Sequence, residues 1–203
     1  MKRIVSLILA FAMLLCLCGC GEEEKAKEAV CGMMDAIKAL DYDAANKYID
    51  LSQIKLDDGE VLTNDAGKQI GNALFDKLSY EIVSTQPVDD ETVKVTTKIT
   101  AVDMSTVIPE YAAAMLSYAF SYALSSEKPS DEEIEQKNVE LFAEAVKNNA
   151  DKKVTTQVDI TVKEADGAWK VQSDEDFVNA LLGGLKGAAK KIEDSMNNLG
   201  NEE

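Results

Sequence analysis

The stretch VKVTTKITA, residues 93–101, alternates between two kinds of side chain. Its odd-numbered positions carry valine, threonine, isoleucine and alanine, whereas its even-numbered positions carry only lysine and threonine. Because successive side chains of a β-strand point to opposite faces, this pattern predicts a strand with one buried face and one wetter face. Such a strand is typical of an antiparallel sheet that helices cover on one side.

A second alternating stretch, residues 154–162, repeats this chemistry further along the chain. The dipeptide DG at residues 166–167 is a strong signal for a tight hairpin turn, and WKV at residues 169–171 then returns as the partner strand. A shorter alternating run, residues 80–84, precedes the first strand, with a turn predicted across residues 86–90. Together these segments predict an antiparallel sheet of about four strands.

Helical patterns frame the predicted strands. Pro109 is expected to open a helix, since its missing N–H costs nothing in the first turn. A capping box at residues 130–133 predicts the start of another helix, and Asp174 can cap a later one. The tail, residues 186–203, is helical if it docks and frayed if it does not. Before the strands, apolar residues recur at helical spacings, in a first helix (Ala26, Val30, Met33, Ile37, Leu40), a short second helix (Ala44, Ala45, Tyr48, Ile49) and a third (Ala66, Ile70, Ala73, Leu74, Leu78).

This order of elements predicts an α+β fold. The N-terminal helices pack on a curved antiparallel sheet of about four strands, and a C-terminal helix follows. A two-helix insertion, about residues 105–149, separates the middle strands. Residues 20–203 are expected to form one domain, because a chain of this size makes one sizeable core more readily than two.

The N-terminus carries the three parts of an export signal. Positive charge at Lys2 and Arg3 precedes an apolar run, residues 4–15, which is too short to span a bilayer. The segment LCGC, residues 17–20, resembles a bacterial lipobox. The resemblance implies that residues 1–19 are removed, that Cys20 carries the lipid, and that the protein sits on the extracytoplasmic face of the cell membrane.

Composition narrows the classes of function. The net charge is −16, and it becomes −18 when Lys2 and Arg3 leave with the signal. Such an acidic surface argues against nucleic acid as a partner and against adsorption on anionic lipid. The chain contains no histidine, which removes the commonest general base and a common metal ligand. After lipidation Cys31 is the one remaining thiol, interpreted as a small core residue rather than a reactive group.

The chain resembles Gram-positive lipoproteins with a cystatin-like, nuclear-transport-factor-2-like domain. The resemblance covers most of residues 22–185. It rests on the lipobox, the first helix with the segment DYDAA at residues 41–45, TAVDM at residues 100–104, and the closing DGAWKV at residues 166–171. It implies an extracytoplasmic binding or interaction domain rather than a reaction. The insertion departs from the family pattern, and it is expected to lie over the concave face of the sheet.

The insertion also supplies the candidate site. Tyr111, Met115, Tyr118 and Tyr122 form one stripe on the helix that Pro109 is expected to open, and Leu116, Phe120, Leu124 and Ala112 add apolar surface around it. A helix that is apolar all round is either buried in the core or covered by a partner or ligand, and both interpretations stay open. Trp169 is either a core anchor on the last strand or a further contact of this surface. The acidic clusters are interpreted as solvated helix starts and a turn.

No catalytic arrangement is recognisable, so the protein is not expected to be an enzyme, and no metal or cofactor is expected. No serine or cysteine has a histidine partner, and no glycine-rich phosphate loop follows a strand. The leading hypothesis is a lipid-anchored interaction module that recruits or stabilises a protein partner through the inserted helices or the face of the sheet. The alternative is a lipoprotein that binds an apolar or amphipathic small molecule, and an isomerase-like enzyme comes third.

Overall fold

The fold is seen in a computed structural model that describes residues 21–51, 65–125 and 128–199. Residues 21–38 form the first helix, α1, followed by α2 (Tyr42–Ala45) and α3 (Asp65–Phe75). The strands are β1 (Ser79–Asp89), β2 (Thr92–Val102), β3 (Lys153–Ala165) and β4 (Ala168–Val171). The remaining helices are α4 (Met104–Ala123), α5 (Asp131–Asn148), α6 (Glu175–Leu181) and α7 (Leu185–Leu199). The predicted signal peptide and Cys20 lie outside the described residues.

The four strands form one antiparallel sheet in the order β1-β2-β3-β4, which confirms the predicted α+β class. The alternation at residues 93–101 is confirmed, because its odd-numbered side chains are all buried. Val93 pairs with Val162 and Val95 with Ile160, so both middle strands present apolar side chains to the same face. The hydroxyl of the buried Thr97 donates a hydrogen bond of 3.2 Å to a main-chain carbonyl of its own strand.

The first strand is longer than expected. The turn predicted at residues 86–87 is wrong, because β1 continues through Pro87, which pairs with Val93, and the chain reverses only after Asp89. Proline is tolerated there because β1 is an edge strand. An N–H that faces away from the sheet makes no hydrogen bond to a neighbouring strand, so its absence in proline breaks none. The register shifts at Val83 and Val88, and both side chains are exposed. Bulges of this kind twist an edge and discourage pairing with other chains.

Helix α1 lies on the apolar face of the sheet. Its predicted stripe is confirmed from Ala26 to Ile37, which are at most 1% exposed and belong to the same core as the strands. Leu40 falls beyond the helix, in a turn with φ of 60°. Two side-chain hydrogen bonds join α1 to the edge strand, from Tyr80 to Asp35 at 2.9 Å and from Thr85 to Glu23 at 2.7 Å.

Helix α4 begins earlier than predicted. Pro109 does not open it; the helix starts at Met104, and Asp103 is the N-cap, whose side chain accepts a hydrogen bond of 2.9 Å from the amide of Ser105. An aspartate at this position satisfies an otherwise free N–H of the first turn. Pro109 therefore lies inside the helix, where it cannot donate to the carbonyl four residues back.

The other predicted caps are confirmed. Ser130 and Glu133 form both halves of a capping box, and Asp174 accepts a hydrogen bond of 2.8 Å from the amide of Phe177. Asp166 and Gly167 both have positive φ, as a two-residue hairpin turn requires. The predicted tail is helical as far as Leu199 and packs against α4, so its described part is docked.

The inserted helices do not cover the sheet. Helices α4 and α5 pack on each other, α5 packs as extensively on α3, and α4 also packs on α7, whereas α1 and α6 occupy the apolar face. The expectation that the insertion lies over the concave face is therefore wrong. The reason is that α1 and α6 already supply the apolar side chains that this face needs. We call the pair α4 and α5 the helical hairpin.

Candidate functional site

Helix α4 is buried at its start and exposed at its end. Met104 and Val107 are at most 1% exposed, but Leu116 is 62%, Phe120 65% and Leu124 88% exposed. The last three are spaced by four residues, which places them on one side of the helix. We call these three side chains the exposed stripe. Large apolar residues scattered singly on a surface need no explanation, whereas an aligned group marks a contact surface.

The exposed stripe lies in an uncharged part of a highly charged chain. From Tyr111 to Ser126 the sequence contains no aspartate, glutamate, lysine or arginine, although charged residues make up 29% of the protein. A solvent-exposed helix of a monomeric protein normally carries charges on its outer face. The outer face of α4 instead has the composition of the centre of a protein interface, where charged residues are depleted.

The four residues singled out from the sequence lie on another side of α4. Successive helical residues are 100° apart, so Tyr118 and Tyr122 point about 200° away from Leu116 and Phe120. Tyr118 and Tyr122 contact each other edge to face, with ring centroids 5.5 Å apart. Both are half-buried and line a shallow groove beside the connection to α5, together with Ser121, Ser125, Lys128, Pro129 and Glu133.

Tyr111 and Met115 lie nearer the root of the helical hairpin, the end at which α4 begins and α5 ends. The ring of Tyr111 packs edge to face on that of Phe142 in α5, at a centroid distance of 5.4 Å. Burial raises the pKa of the Tyr111 phenol above its ordinary value. Met115 is half-buried. The side of α4 that carries the tyrosines therefore faces α5 at the root of the helical hairpin. At the tip, where α4 ends and α5 begins, it faces a groove.

Trp169 is not part of this surface. Its side chain is 7% exposed and belongs to the hydrophobic core, on the same face of the sheet as Val171. The sequence alone left its role open between a core anchor and a contact of the binding surface. The structure places it on the edge strand β4, with its ring among core side chains.

The root of the helical hairpin is held by a polar junction. Glu110 of α4 accepts hydrogen bonds from Asn148 at 2.8 Å and from Asn149 at 2.6 Å, one on each carboxylate oxygen. These bonds hold the pKa of the Glu110 carboxyl below its ordinary value, with a smaller contribution from the charge of Lys152. Asn149 is 2% exposed, and Lys152 donates to its side-chain oxygen. This junction fixes the start of α4 against the end of α5.

The uncovered face of the sheet is polar and largely paired within itself. Thr96 donates to Asp159 at 2.7 Å, and the hydroxyls of Thr100 and Thr155 are 2.7 Å apart. A groove of about 580 Å³ runs from this face toward α6, lined mostly by charged and polar side chains (Lys94, Thr156, Gln157, Val158, Asp159, Thr161, Asp174, Asp176, Asn179). Its lining does not suit an apolar ligand, because the sites that bind small molecules are lined predominantly by apolar side chains.

Within residues 21–51, 65–125 and 128–199, no group of three or more cysteine, aspartate or glutamate side chains is placed to hold a metal ion. None of the helices in that part of the chain is both long and apolar enough to cross a membrane. Cys31 is a free, half-buried cysteine whose main-chain carbonyl accepts a hydrogen bond from Tyr80.

Comparison with known proteins gives little to set beside this geometry. No protein-family model matches the chain, and no significant match is found among curated proteins. One solved structure is similar, a "putative lipoprotein (ycdA)" from Bacillus subtilis, with 16% sequence identity and a TM-score of 0.42. The similarity covers 59% of this chain and 37% of that chain. The cystatin-like domain stays a prediction from the residues.

The sequence pattern missed the residues that the structure leaves free. Leu116, Phe120 and Leu124 are readable as apolar surface around α4, but not as the uncovered side of it. A signal was present, because the three recur at intervals of four within a segment that has no charge. The covering of the tyrosine side by α5 could not be inferred from the pattern on α4.

Proposed function

We propose that this protein is a lipid-anchored, non-catalytic interaction module on the extracytoplasmic face of the cell membrane, and that it holds a protein partner on the helical hairpin. The observation that carries the proposal is the exposed stripe of Leu116, Phe120 and Leu124. Covering these side chains removes apolar surface from water, at about 25 cal/mol for each Å². The surrounding segment offers no charges that would have to be desolvated in the contact.

The position of the anchor supports a partner outside the bilayer. Lipid on Cys20 would precede α1 directly, because residue 21 is already helical. The beginning of α1 lies along β1 through the bond from Thr85 to Glu23, toward the turn between β1 and β2. Helix α4 leaves the sheet after Val102, at the opposite end of β2. The beginning of α1 and the root of the helical hairpin thus lie toward opposite ends of the sheet.

Lipidation and contact are tested separately. Palmitate labelling of the protein made in a Gram-positive host should be lost in Cys20→Ala, and the wild-type protein should enter the detergent phase on phase separation. An intact N-terminus on the wild-type protein would contradict the anchor.

For the contact, a photo-crosslinking phenylalanine analogue replaces Phe120 in cells. The matched control places the same analogue at Lys98, on the polar face of the sheet. We expect protein adducts at position 120 only. Equal adducts at both positions, or none at position 120, would count against the proposal.

The groove beside Tyr118 and Tyr122 favours a second candidate function, the binding of a small amphipathic ligand. Its lining combines two tyrosine rings with the charged groups of Lys128 and Glu133. Tyrosine suits such a ligand because it has an apolar body and a polar tip. Native mass spectrometry of the protein extracted from its own envelope separates the candidates. A discrete small adduct that Tyr118→Ala removes would favour the ligand, and its absence would favour the protein partner.

A further inference from the structure

We propose that the partner held on the exposed stripe is a second copy of this chain, bound with the two α4 helices antiparallel about a two-fold axis that passes close to Phe120. This inference rests on the proposed function and names the partner for it. Three independent features of residues 113–124 lead to it: their symmetry, their lack of charge, and the internal pairing of their hydroxyl groups.

The first feature is the symmetry of the sequence. The segment LSYAFSYAL, residues 116–124, reads nearly the same in both directions about Phe120. In an antiparallel pair with a two-fold axis at Phe120, each residue faces the one that is equally far on the other side. Leu116 of one copy therefore faces Leu124 of the other, and the two Phe120 rings meet at the axis. A two-fold interface uses the same patch on both subunits, so a patch of this symmetry is self-complementary.

The second feature is charge. The chain carries a net charge of −16, so two copies repel each other over most of their surfaces. The helical hairpin is also acidic at the start of α5, where residues 131–133 are Asp-Glu-Glu. The outer face of α4 is a place where two copies can meet without like charges facing each other. A basic partner would instead be matched by acidic groups on this face, and residues 111–126 provide none.

The third feature concerns the polar groups that the contact would bury. Ser117 lies beside the exposed stripe, and its hydroxyl already donates to the carbonyl of Ala113 at 2.9 Å. Ser121 likewise donates to the carbonyl of Tyr118 at 2.7 Å. Both hydroxyls keep a partner when water is removed, so their burial leaves no donor unpaired. Ala113, Ser117 and Ala123 are exposed and small, which lets a second helix approach closely.

The contact is short, and anchoring compensates for this. Three side chains on one helix offer less area than the roughly 800 Å² per partner of a standard interface. Association in free solution is therefore expected to be weak. Lipid anchors that confine two copies to one membrane raise their effective concentration and favour the pair. Full-length lipidated protein in membranes is accordingly the material for the test.

Disulfide trapping in membranes tests both the partner and its orientation. All variants carry Cys31→Ser, so that the introduced cysteine is the free thiol, and Lys98→Cys is the matched control. Phe120→Cys should give a species of twice the monomer mass upon mild oxidation, and Lys98→Cys should not. A mixture of Leu116→Cys and Leu124→Cys chains, distinguished by different tags, should crosslink severalfold more than either variant alone. Phe120→Asp with the same thiols at positions 116 and 124 should lose the crosslink.

Each other outcome overturns part or all of the proposal. Efficient crosslinking of Leu116→Cys to itself would overturn the antiparallel arrangement. No doubled species, together with photo-adducts of a different protein at position 120, would overturn the second copy but leave the interaction module standing. No doubled species and no adduct would overturn both. Phe120 is 65% exposed, so Phe120→Asp is expected to fold, and circular dichroism and the melting temperature check this directly.

Discussion

A β-carbon on Gly183 would lie 1.8 Å from the carbonyl oxygen of Val102, the last residue of β2. Gly183 also has φ of 60°, and its own carbonyl accepts a hydrogen bond of 3.0 Å from the amide of Met104. The link between α6 and α7 is thus pressed against the point where the chain leaves the sheet and enters α4. Only glycine satisfies both the close approach and the left-handed conformation at this position.

The first prediction compares Gly183→Ala with Gly184→Ala. Gly184 also has positive φ, of 79°, but a β-carbon there meets nothing within 4 Å. Gly184→Ala should therefore lower the free energy of unfolding by only about 1–2 kcal/mol, which is the cost of the left-handed conformation. Gly183→Ala must also displace the main chain of Val102, and it should lose about 4 kcal/mol or more. Urea denaturation measures both, and equal losses would contradict the close approach.

The second prediction concerns alkaline pH and Tyr80. Burial raises the pKa of the Tyr80 phenol, and its hydrogen bond to Asp35 and its contact with the side chain of Cys31 raise it further. The folded protein therefore holds this proton more tightly than the unfolded chain does. Its contribution to stability is complete below the ordinary pKa of 10.0 and is lost as the pH rises above it.

Tyr80→Phe removes the titrating group and tests this sign. The free energy of unfolding, measured in urea between pH 8 and pH 11.5, should fall more steeply for the wild-type protein than for Tyr80→Phe. At pH 8 the variant should be less stable, by about 1 kcal/mol for one lost hydrogen bond. Parallel pH profiles would show that Tyr80 ionises alike in both states.

The third prediction concerns acid and Glu110. Hydrogen bonds from Asn148 and then Asn149 lower the pKa of this carboxyl from its ordinary 4.5. The stability that they contribute is present above pH 4.5 and is lost as the pH falls through the lowered pKa. Glu110→Gln should be less stable at pH 7, because its amide nitrogen cannot accept a hydrogen bond and one of the two asparagines loses this acceptor. Its stability should also depend less on pH below 4.5.

The matched control for Glu110 is Glu144→Gln, which removes an exposed carboxylate from α5 without touching the junction. Hydrogen exchange should show faster opening at the end of α5 in Glu110→Gln than in the control. If both variants open alike, the junction does not hold the helical hairpin.

The fourth prediction divides the tyrosines of α4. Tyr111 packs on Phe142 and on the core, so Tyr111→Ala should cost about 2 kcal/mol of stability. Tyr118 and Tyr122 mainly contact each other near the tip, and Tyr118→Ala should change stability by less than about 1 kcal/mol. Thermal unfolding of the two variants measures this, and a larger loss for Tyr118→Ala would place the tip in the core.

Local patterns predicted much of the fold. The alternation at residues 93–101, the capping box at residues 130–133 and the turn at residues 166–167 each specify an element through contacts within a few residues. Where two local signals competed, the prediction was less accurate. Pro109 is compatible with a helix start, but Asp103 provides the better cap, and Pro87 reads as a turn although an edge strand tolerates it.

The sequence by itself determined the α+β class, the apolar face of the sheet and the apolar composition of α4. Only the tertiary structure decided which side of α4 is covered. The side with the tyrosines packs against α5, where Tyr111 contacts Phe142, whereas the side with Leu116 stays exposed, although both sides are similarly apolar. The physical reason is that burial depends on which element from a distant part of the chain packs against the helix. The periodicity of α4 describes only that helix itself.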